Sequence, residues 1–399
     1  MAHATARLIR TLDELQRLAP AWESLSRGVP FREPTWLLTW WRHFGERRGD
    51  RPGAAELFVV AVEADGRLLG LAPWFVEPAP WQGRVVQMLG SGVVCSDYLT
   101  VLCGEGHEAA VAALVAAHLH GPARDEWDRI DFDGAATDDH ALAALFAEMN
   151  RCGCEVERRP APHCWRVALP SSWDAYLWDL SKSHRKQLRR LTKRVLDTPR
   201  AVWHTTTDVA QLADDWQVFV DLHQRRRASL GQPGCFADPQ FALFHEEVAA
   251  RLLLRGQLRL HRLELDGRPI AAEYHVAGEK AVFAYQSGLD PAALDEQPGH
   301  LAAIEIIRRA MREGFACYDL LRGDESYKAH WGATPIATEN VTVVNARASS
   351  RLRYALRRRL RTVRDSFAPR LGTQTIDARP SVGAKPQATD FGIREVIPS

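Results

Sequence analysis

Between Ala281 and Trp331 the chain concentrates groups able to do chemistry. The run AVFAYQSG reads as a strand ending on Tyr285, Gln286 and Ser287. The next loop reaches Gln297-Pro298-Gly299-His300 at the start of an amphipathic helix. Free backbone N–H groups and the positive end of the helix dipole at such a place can hold a pyrophosphate. A Pro-Gly pair is also an ordinary helix entrance. A second cluster comprises Asp319, Arg322, Gly323, Glu325, Tyr327, Lys328 and Trp331. Asp319 stands between Tyr318 and Leu320 in a predicted core strand, where a carboxylate needs a partner or a function. A cap, or a salt bridge to Arg322 or Lys328, would satisfy it without chemistry. Tyr327 and Lys328 are adjacent on a predicted short helix, and Lys328 and Trp331 share a face. As structure alone, this would be an aromatic plug beside a solvated lysine.

Other chemistries find little support. His118 and His120 are two apart on a predicted helix and point in different directions, so no metal site is expected. No G-x-S-x-G elbow, P-loop or G-x-G-x-x-G run occurs. The seven cysteines are odd in number and form no C-x-x-C pair, which suggests neither a disulfide framework nor a zinc site. With 399 residues, 46% hydrophobic and 25% charged, the composition is that of a soluble globular chain of two domains plus a tail. No apolar run approaches a bilayer span and the N-terminal residues do not read as a secretory signal, so a cytoplasmic location is expected. Net charge is only +1, yet the arginines cluster. SHRKQLRRLTKR sets Leu188, Leu191 and Val195 against six Lys/Arg from Arg185 to Arg194; it is either a solvated face or a clamp for phosphates. RLRYALRRRLRTVRDSF carries Leu352, Leu356, Leu360, Val363 and Phe367 at helical spacing with six arginines from Arg351 to Arg361. Such a helix suits an anionic membrane surface or packing on the second domain. After Pro369 the composition reads as disordered.

The elements that must position the clusters recur in order. The first half reads as the strand ARLIRT, a helix from Leu12 to Arg27, the helix TWLLTWWRHFG, β-rich runs turning at Asp65-Gly66, a strand SDYLTVLCG, a helix near Ala109–Leu119, the strand DRIDFDG, a helix near Ala141–Asn150 and a strand ending near Leu169. The second half reads as a helical region from Trp173 to Leu196 and two helices between Val209 and Arg255. Three antiparallel strands turning at Asp266-Gly267 and Gly278-Glu279 follow, then the helix HLAAIEIIRRAMREG, the strand CYDLLRG, a short helix and the strand ENVTVVNA. GRLLGLAPWFV matches GRPIAAEYHV and RIDFDG matches YDLLRG, which indicates a duplicated fold.

The runs SKSHRKQLRRLTKRV, LRLHRLELDGRPIAAEYHV, AYQSGLDP, QPGHL and YDLLRGDESYKAHWG resemble the BioF2-like acetyltransferase domain of the GNAT superfamily. This is the CelD-like group, linked to cellulose or exopolysaccharide synthesis and distantly similar to Fem-type peptidyltransferases. PTWLLTWWRHFG, GRLLGLAPW and LGSGVVCSDYLTV resemble the same group's N-terminal region, so the likeness runs over roughly residues 5–345. The resemblance implies an α/β (α+β) chain of two tandem GNAT-like domains, each a twisted mixed sheet flanked by helices. The first, residues 1–169, would be non-catalytic; the second, 170–346, would carry the activity; 347–399 would be a basic helix and tail.

The resemblance also implies a cleft where two strands splay to admit the pantetheine arm of acetyl-CoA or another acyl-CoA, with no metal. Tyr285, Gln286, Ser287 and Gly288 would be the pantetheine-facing strand. Gln297, Gly299 and His300 would stand at the pyrophosphate loop, which here has one Gly beside a Pro rather than Q/R-x-x-G-x-G/A. That departure leaves room for another donor, as in Fem-like relatives that use aminoacyl-tRNA, or for a non-catalytic scaffold. Tyr327 takes the usual place of the general acid, Glu273 and Asp319 are the candidate bases, and Lys328 could face an oxyanion or a phosphate. The expected reaction is acyl transfer to an amine or hydroxyl, on a small molecule or a saccharide of polysaccharide or envelope synthesis. A tRNA partner and a peripheral membrane contact through 351–367 are further expectations.

Overall fold

A computed structural model describes residues 4–45 and 55–367. The first half runs β1 (Thr5–Ile9), α1 (Leu12–Arg17), α2 (Ala19–Leu25), α3 (Pro34–Trp40), β2 (Glu56–Leu57), β3 (Val59–Ala64), β4 (Arg67–Ala72), β5 (Trp74–Ala79), β6 (Gly83–Met88), β7 (Leu102–Cys103), α4 (Glu108–His120), β8 (Arg129–Ala136), α5 (His140–Arg151) and β9 (Glu155–Ala168). The second runs α6 (Trp173–Asp179), α7 (Lys182–Leu191), β10 (Ala201–Thr205), α8 (Val209–Ser229), α9 (Pro239–Leu254), β11 (Leu258–Leu265), β12 (Arg268–Ala277), β13 (Ala281–Leu289), α10 (Pro298–Arg312), β14 (Cys317–Arg322), α11 (Tyr327–His330) and β15 (Thr334–Val344). The basic helix α12 (Ala348–Phe367) follows. The tail after Pro369, expected to be disordered, lies outside the described residues.

Local chemistry explains most boundaries. Asp65-Gly66 and Asp266-Gly267 all have φ between +50° and +77°, the left-handed pair that closes a two-residue hairpin, so β3–β4 and β11–β12 fold alike. Side chains of Asp139, Ser172, Ser181, Asp208 and Asp238 accept amide protons at the starts of α5 to α9. The expected helix from Leu12 to Arg27 is instead broken at Leu18, because Pro20 starts a new turn and α2 begins there. The expected strand SDYLTVLCG shrinks to Leu102–Cys103: Tyr98 has φ +63°, and Ser96 and Asp97 are engaged with Trp36 and Arg322. The strand β10 has no counterpart among the sequence expectations.

An eleven-stranded sheet runs β10-β11-β12-β13-β14-β9-β15-β8-β6-β5-β2, beside a four-stranded sheet β1-β3-β4-β7. Each half contributes one parallel pair, β13 with β14 and β6 with β8. The last strand of each half then crosses over. β9 pairs antiparallel with β14, β15 pairs antiparallel with β8, and β9 and β15 pair with each other at the centre. The two halves thus complete one another's sheets. One asymmetry is local. The long β12 corresponds to two strands of the first half, β4 and β5, separated at Pro73, which has no N–H to continue a ladder; β4 joins the small sheet and β5 the large one.

Two apolar cores result. One joins the halves, packing Trp36 and Phe31 against Phe244 and Tyr285. The other belongs to the second half and includes Val167 of the exchanged strand with Leu188, Leu191, Val195, Ile304, Tyr318 and Trp331.

Candidate functional site

The β13–β14 pairing lasts only three residues, Ala281↔Cys317 to Phe283↔Asp319, after which the strands part. A cleft of about 60 Å³ opens in the gap. Its walls are Glu273 and His275 of β12, Ala284 to Ser287 of β13, Gly299, Ala303 and Ile306 of α10, Tyr318 and Leu320 of β14, and Glu325, Tyr327, Lys328 and Trp331 around α11. The strand bends where it leaves its partner. Tyr274 pairs with Gln286 but His275 pairs with Ala284, so Tyr285 is an extra, unpaired residue in the ladder. Such a bulge turns successive residues toward one opening.

Three polar side chains meet in the cleft. The Glu273 carboxylate lies 3.3 Å from His275 Nε2, and the Tyr318 hydroxyl lies 3.4 Å from the same nitrogen. Glu273 and His275 are two apart on one strand, hence on one face. Burial raises the Glu273 carboxyl above its ordinary value, because removing water disfavours the charged form; the imidazole only partly offsets this. Burial likewise holds the Tyr318 phenol protonated. Tyr327 completes the wall on the α11 side.

Of the residues expected from sequence, Glu273, Tyr285, Gln286, Ser287, Gly299, Tyr327 and Lys328 line this one cleft. Several do so in a manner the sequence did not suggest. The Tyr285 hydroxyl donates to Val94 O (2.7 Å) and its ring packs in the joint core, so it offers the cleft main chain rather than phenol. Lys328 is not a solvated lysine. It is 1% exposed, donates to the carbonyls of Leu321 (3.2 Å) and Gly323 (2.9 Å), and pairs with Glu325 at 2.8 Å. It staples a strained turn in which Leu321 has φ +58° and Gly323 φ +129°. That geometry favours a positioning role over an oxyanion donor.

The remaining expected residues lie elsewhere. Asp319 points to the opposite face from Tyr318, accepts from Tyr98 Oη (2.7 Å), Arg166 Nε (3.0 Å) and Leu321 N (2.9 Å), and is fully buried. It ties the halves together and is not placed to act as a base in the cleft. Its partner is Arg166 rather than the Arg322 or Lys328 considered from sequence. Gly288 lets α8 approach, since a Cβ there would lie 2.4 Å from His223 N. Gln297 has φ +59° and its amide oxygen accepts from Gln187 (3.0 Å), joining α10 to α7. His300 is buried against His184 and Trp331, and desolvation pushes its pKa down to about 4, so it is neutral at pH 7 and no cationic phosphate ligand.

The α10 entrance is also poor in donors. Pro298 has no N–H, and the amides of His300 and Leu301 both bond to Gln297 O (3.0 and 3.1 Å). His275 and Tyr318 were not singled out from sequence, although Glu-x-His in a strand is a period-two signal. No group of three His, Cys, Asp or Glu suited to a metal occurs among the described residues.

The equivalent gap of the first half is filled. β6 and β8 pair over Val85↔Arg129 to Gln87↔Asp131 and then part. Arg322 from β14 enters there, bonding Asp97 (3.0 Å), Asp133 (3.2 Å) and Cys95 Sγ (3.2 Å), and leaves about 10 Å³.

A twisted mixed sheet that splays at a parallel strand pair, with a helix N-terminus at the gap, is the fold of the GNAT transferases, here doubled. Residues 182–329 match the family model described as an acetyltransferase (GNAT) domain, so this stretch, less than half of the chain, is a GNAT-type acetyltransferase domain. The fold as a whole is similar to that of FemX, with a TM-score of 0.59 at 12% identity over 84% of this chain and 96% of FemX. It is also similar to a conserved protein of unknown function from Bacteroides thetaiotaomicron, with a TM-score of 0.53 at 10% identity over 85% of this chain and all of that one. No curated protein matches the sequence.

Proposed function

We propose that the second half transfers an acyl group from acyl-CoA to an amine or hydroxyl, with the pantetheine arm lying along β13 in the gap before β14. The observation that carries this is the contrast between the halves: the gap is open and lined by Glu273, His275, Tyr318 and Tyr327 in the second, and plugged by Arg322 in the first. The N-terminal half, through residue 169, then acts as a scaffold that supplies β9 to the working sheet, and 170–346 as the transferase. In the reaction the acceptor nitrogen or oxygen bonds to the thioester carbonyl carbon and the C–S bond breaks. Glu273 takes the proton of the attacking group, with His275 orienting its carboxylate. Tyr327 gives its proton to the leaving thiolate and regains one from solvent. The acceptor would be a small molecule or a saccharide precursor.

Acetyl-CoA and longer acyl-CoAs should give heat on calorimetric titration, and the heat should vanish in a variant that blocks the gap, such as Ala303→Trp. Absence of both heat and thermal shift with every acyl-CoA would remove the CoA donor. Tyr327→Phe should lower turnover by about 10²-fold while donor affinity stays nearly constant, since only the proton is lost. Unchanged turnover would pass the acid role to water.

A second reading is supported by the α10 entrance. With one glycine, a proline and two amides already engaged, it suits a donor without a pyrophosphate at that point. Aminoacyl-tRNA, met by the basic face of α7, is such a donor. Aminoacyl transfer without acyl-CoA binding would establish this alternative.

A further inference from the structure

The helix α12 is fastened to the body by one face. Ser350 Oγ donates to Asp128 (2.6 Å), Arg353 pairs with Asp128 (2.7 Å), and the buried Tyr354 donates to Glu157 (2.6 Å). An amphipathic surface helix ordinarily turns its leucines inward. Here the face opposite Tyr354 carries Leu352, Leu356 and Leu360 at i, i+4 and i+8, and they are 63%, 52% and 69% exposed. On the helical wheel Arg359 flanks this stripe on one side and Arg353 and Arg357 on the other, while Arg351 and Arg358 lie toward the Tyr354 face and reach Gly153 O and Glu155. The twenty residues of α12 contain seven arginines and one acid, Asp365. The acids that meet its arginines, Asp128, Asp131 and Glu155, lie on the body side; the Arg357 and Arg358 pairs are long, at 3.9 and 3.8 Å.

A second apolar group stands beside the helix. A Cβ on Gly83 would lie 3.0 Å from Arg353 Nη1, which sets the β5–β6 hairpin against α12. At the tip of that hairpin Trp81 is 93% exposed with φ +63°. A tryptophan in water and a leucine stripe edged by guanidinium groups are the parts of an interfacial membrane anchor: apolar groups enter the acyl boundary while arginines meet headgroup phosphates. α12 cannot cross the membrane, since no described helix is long and apolar enough.

We propose that the leucine face of α12, together with Trp81, docks on an anionic bilayer surface and holds the transferase domain beside it. A second copy of the chain is a poorer occupant, because joining two leucine stripes would bring the flanking arginines face to face.

The full-length protein, mixed with phosphatidylcholine vesicles with and without phosphatidylglycerol, tests this by flotation. Vesicles containing phosphatidylglycerol should recruit it, raised salt should release it, and plain phosphatidylcholine should recruit it about tenfold less. The double variant Leu352→Ser/Leu356→Ser and, separately, Trp81→Ala should each weaken recruitment about tenfold while circular dichroism stays unchanged. Three results would overturn the proposal: no recruitment of the wild type, equal recruitment by both vesicle types, or variants that float as well as wild type. A dimer seen by light scattering and abolished by the double variant, without flotation, would assign the stripe to self-association instead.

Discussion

Glu273→Gln should lower kcat/KM by about 10²- to 10⁴-fold, the usual worth of general acid–base catalysis. The substitution keeps the side chain's shape and an oxygen able to accept from His275, so the cleft should survive and the loss should fall on chemistry. The pH dependence supplies a signature. Burial raises the Glu273 carboxyl above its ordinary value of 4.5. As a base it works only when ionised, so wild-type kcat/KM should fall as pH drops through that raised value, on an acid limb higher than an exposed glutamate would give. The stability effect has the opposite sense. An unfolded glutamate ionises near 4.5, before the folded one does, so this site costs wild-type stability as pH rises from there through the raised folded value. The glutamine variant is exempt, and its stability relative to wild type should improve over the same interval. Retained activity with an unchanged acid limb would move the base elsewhere. Asp319 is a poor substitute, since it lies on the other face, bonded to Tyr98 and Arg166.

The second large effect concerns stability. Lys328→Met preserves most of the side-chain volume, and from sequence alone it would be expected to leave the fold intact. The structure reverses that expectation. Removing the ammonium leaves the carbonyls of Leu321 and Gly323 without their buried donor and Glu325 without its partner at 2.8 Å. Unsatisfied buried acceptors cost about 1–3 kcal/mol each, and a partly exposed carboxylate such as Glu325, at 29%, adds less. A net loss of about 3 kcal/mol is expected by urea denaturation, with turnover reduced because the turn carrying Tyr327 loosens. A variant as stable as wild type but unable to bind donor would restore Lys328 to direct ligand contact.

What the sequence determined by itself was local. Period-two and period-3.6 patterns, the two Asp-Gly hairpins and the Gly stop after α10 specified nearly every element of the second half and the order repeated in the first. The chemistry-bearing stretch from Ala281 to Trp331 was legible for the same reason, since its strand, helix, strand and short helix are contiguous. Alternation also required Tyr318 and Asp319 to face opposite ways, but not which of them would meet the cleft. That depended on where β14 finds its neighbours. β9 enters beside β14 from about 150 residues earlier in the chain and brings Arg166 to Asp319, while the first half brings Tyr98 to the same carboxylate. The crossing of β9 and β15, the entry of Arg322 into the first half's gap, and the burial of Lys328 under its own turn are likewise decisions of tertiary structure. Sequence periodicity sets which face of a strand is apolar. Which distant strand completes the ladder, and which buried charge then finds its partner, is fixed only when the whole sheet closes and every buried polar group must be satisfied at once.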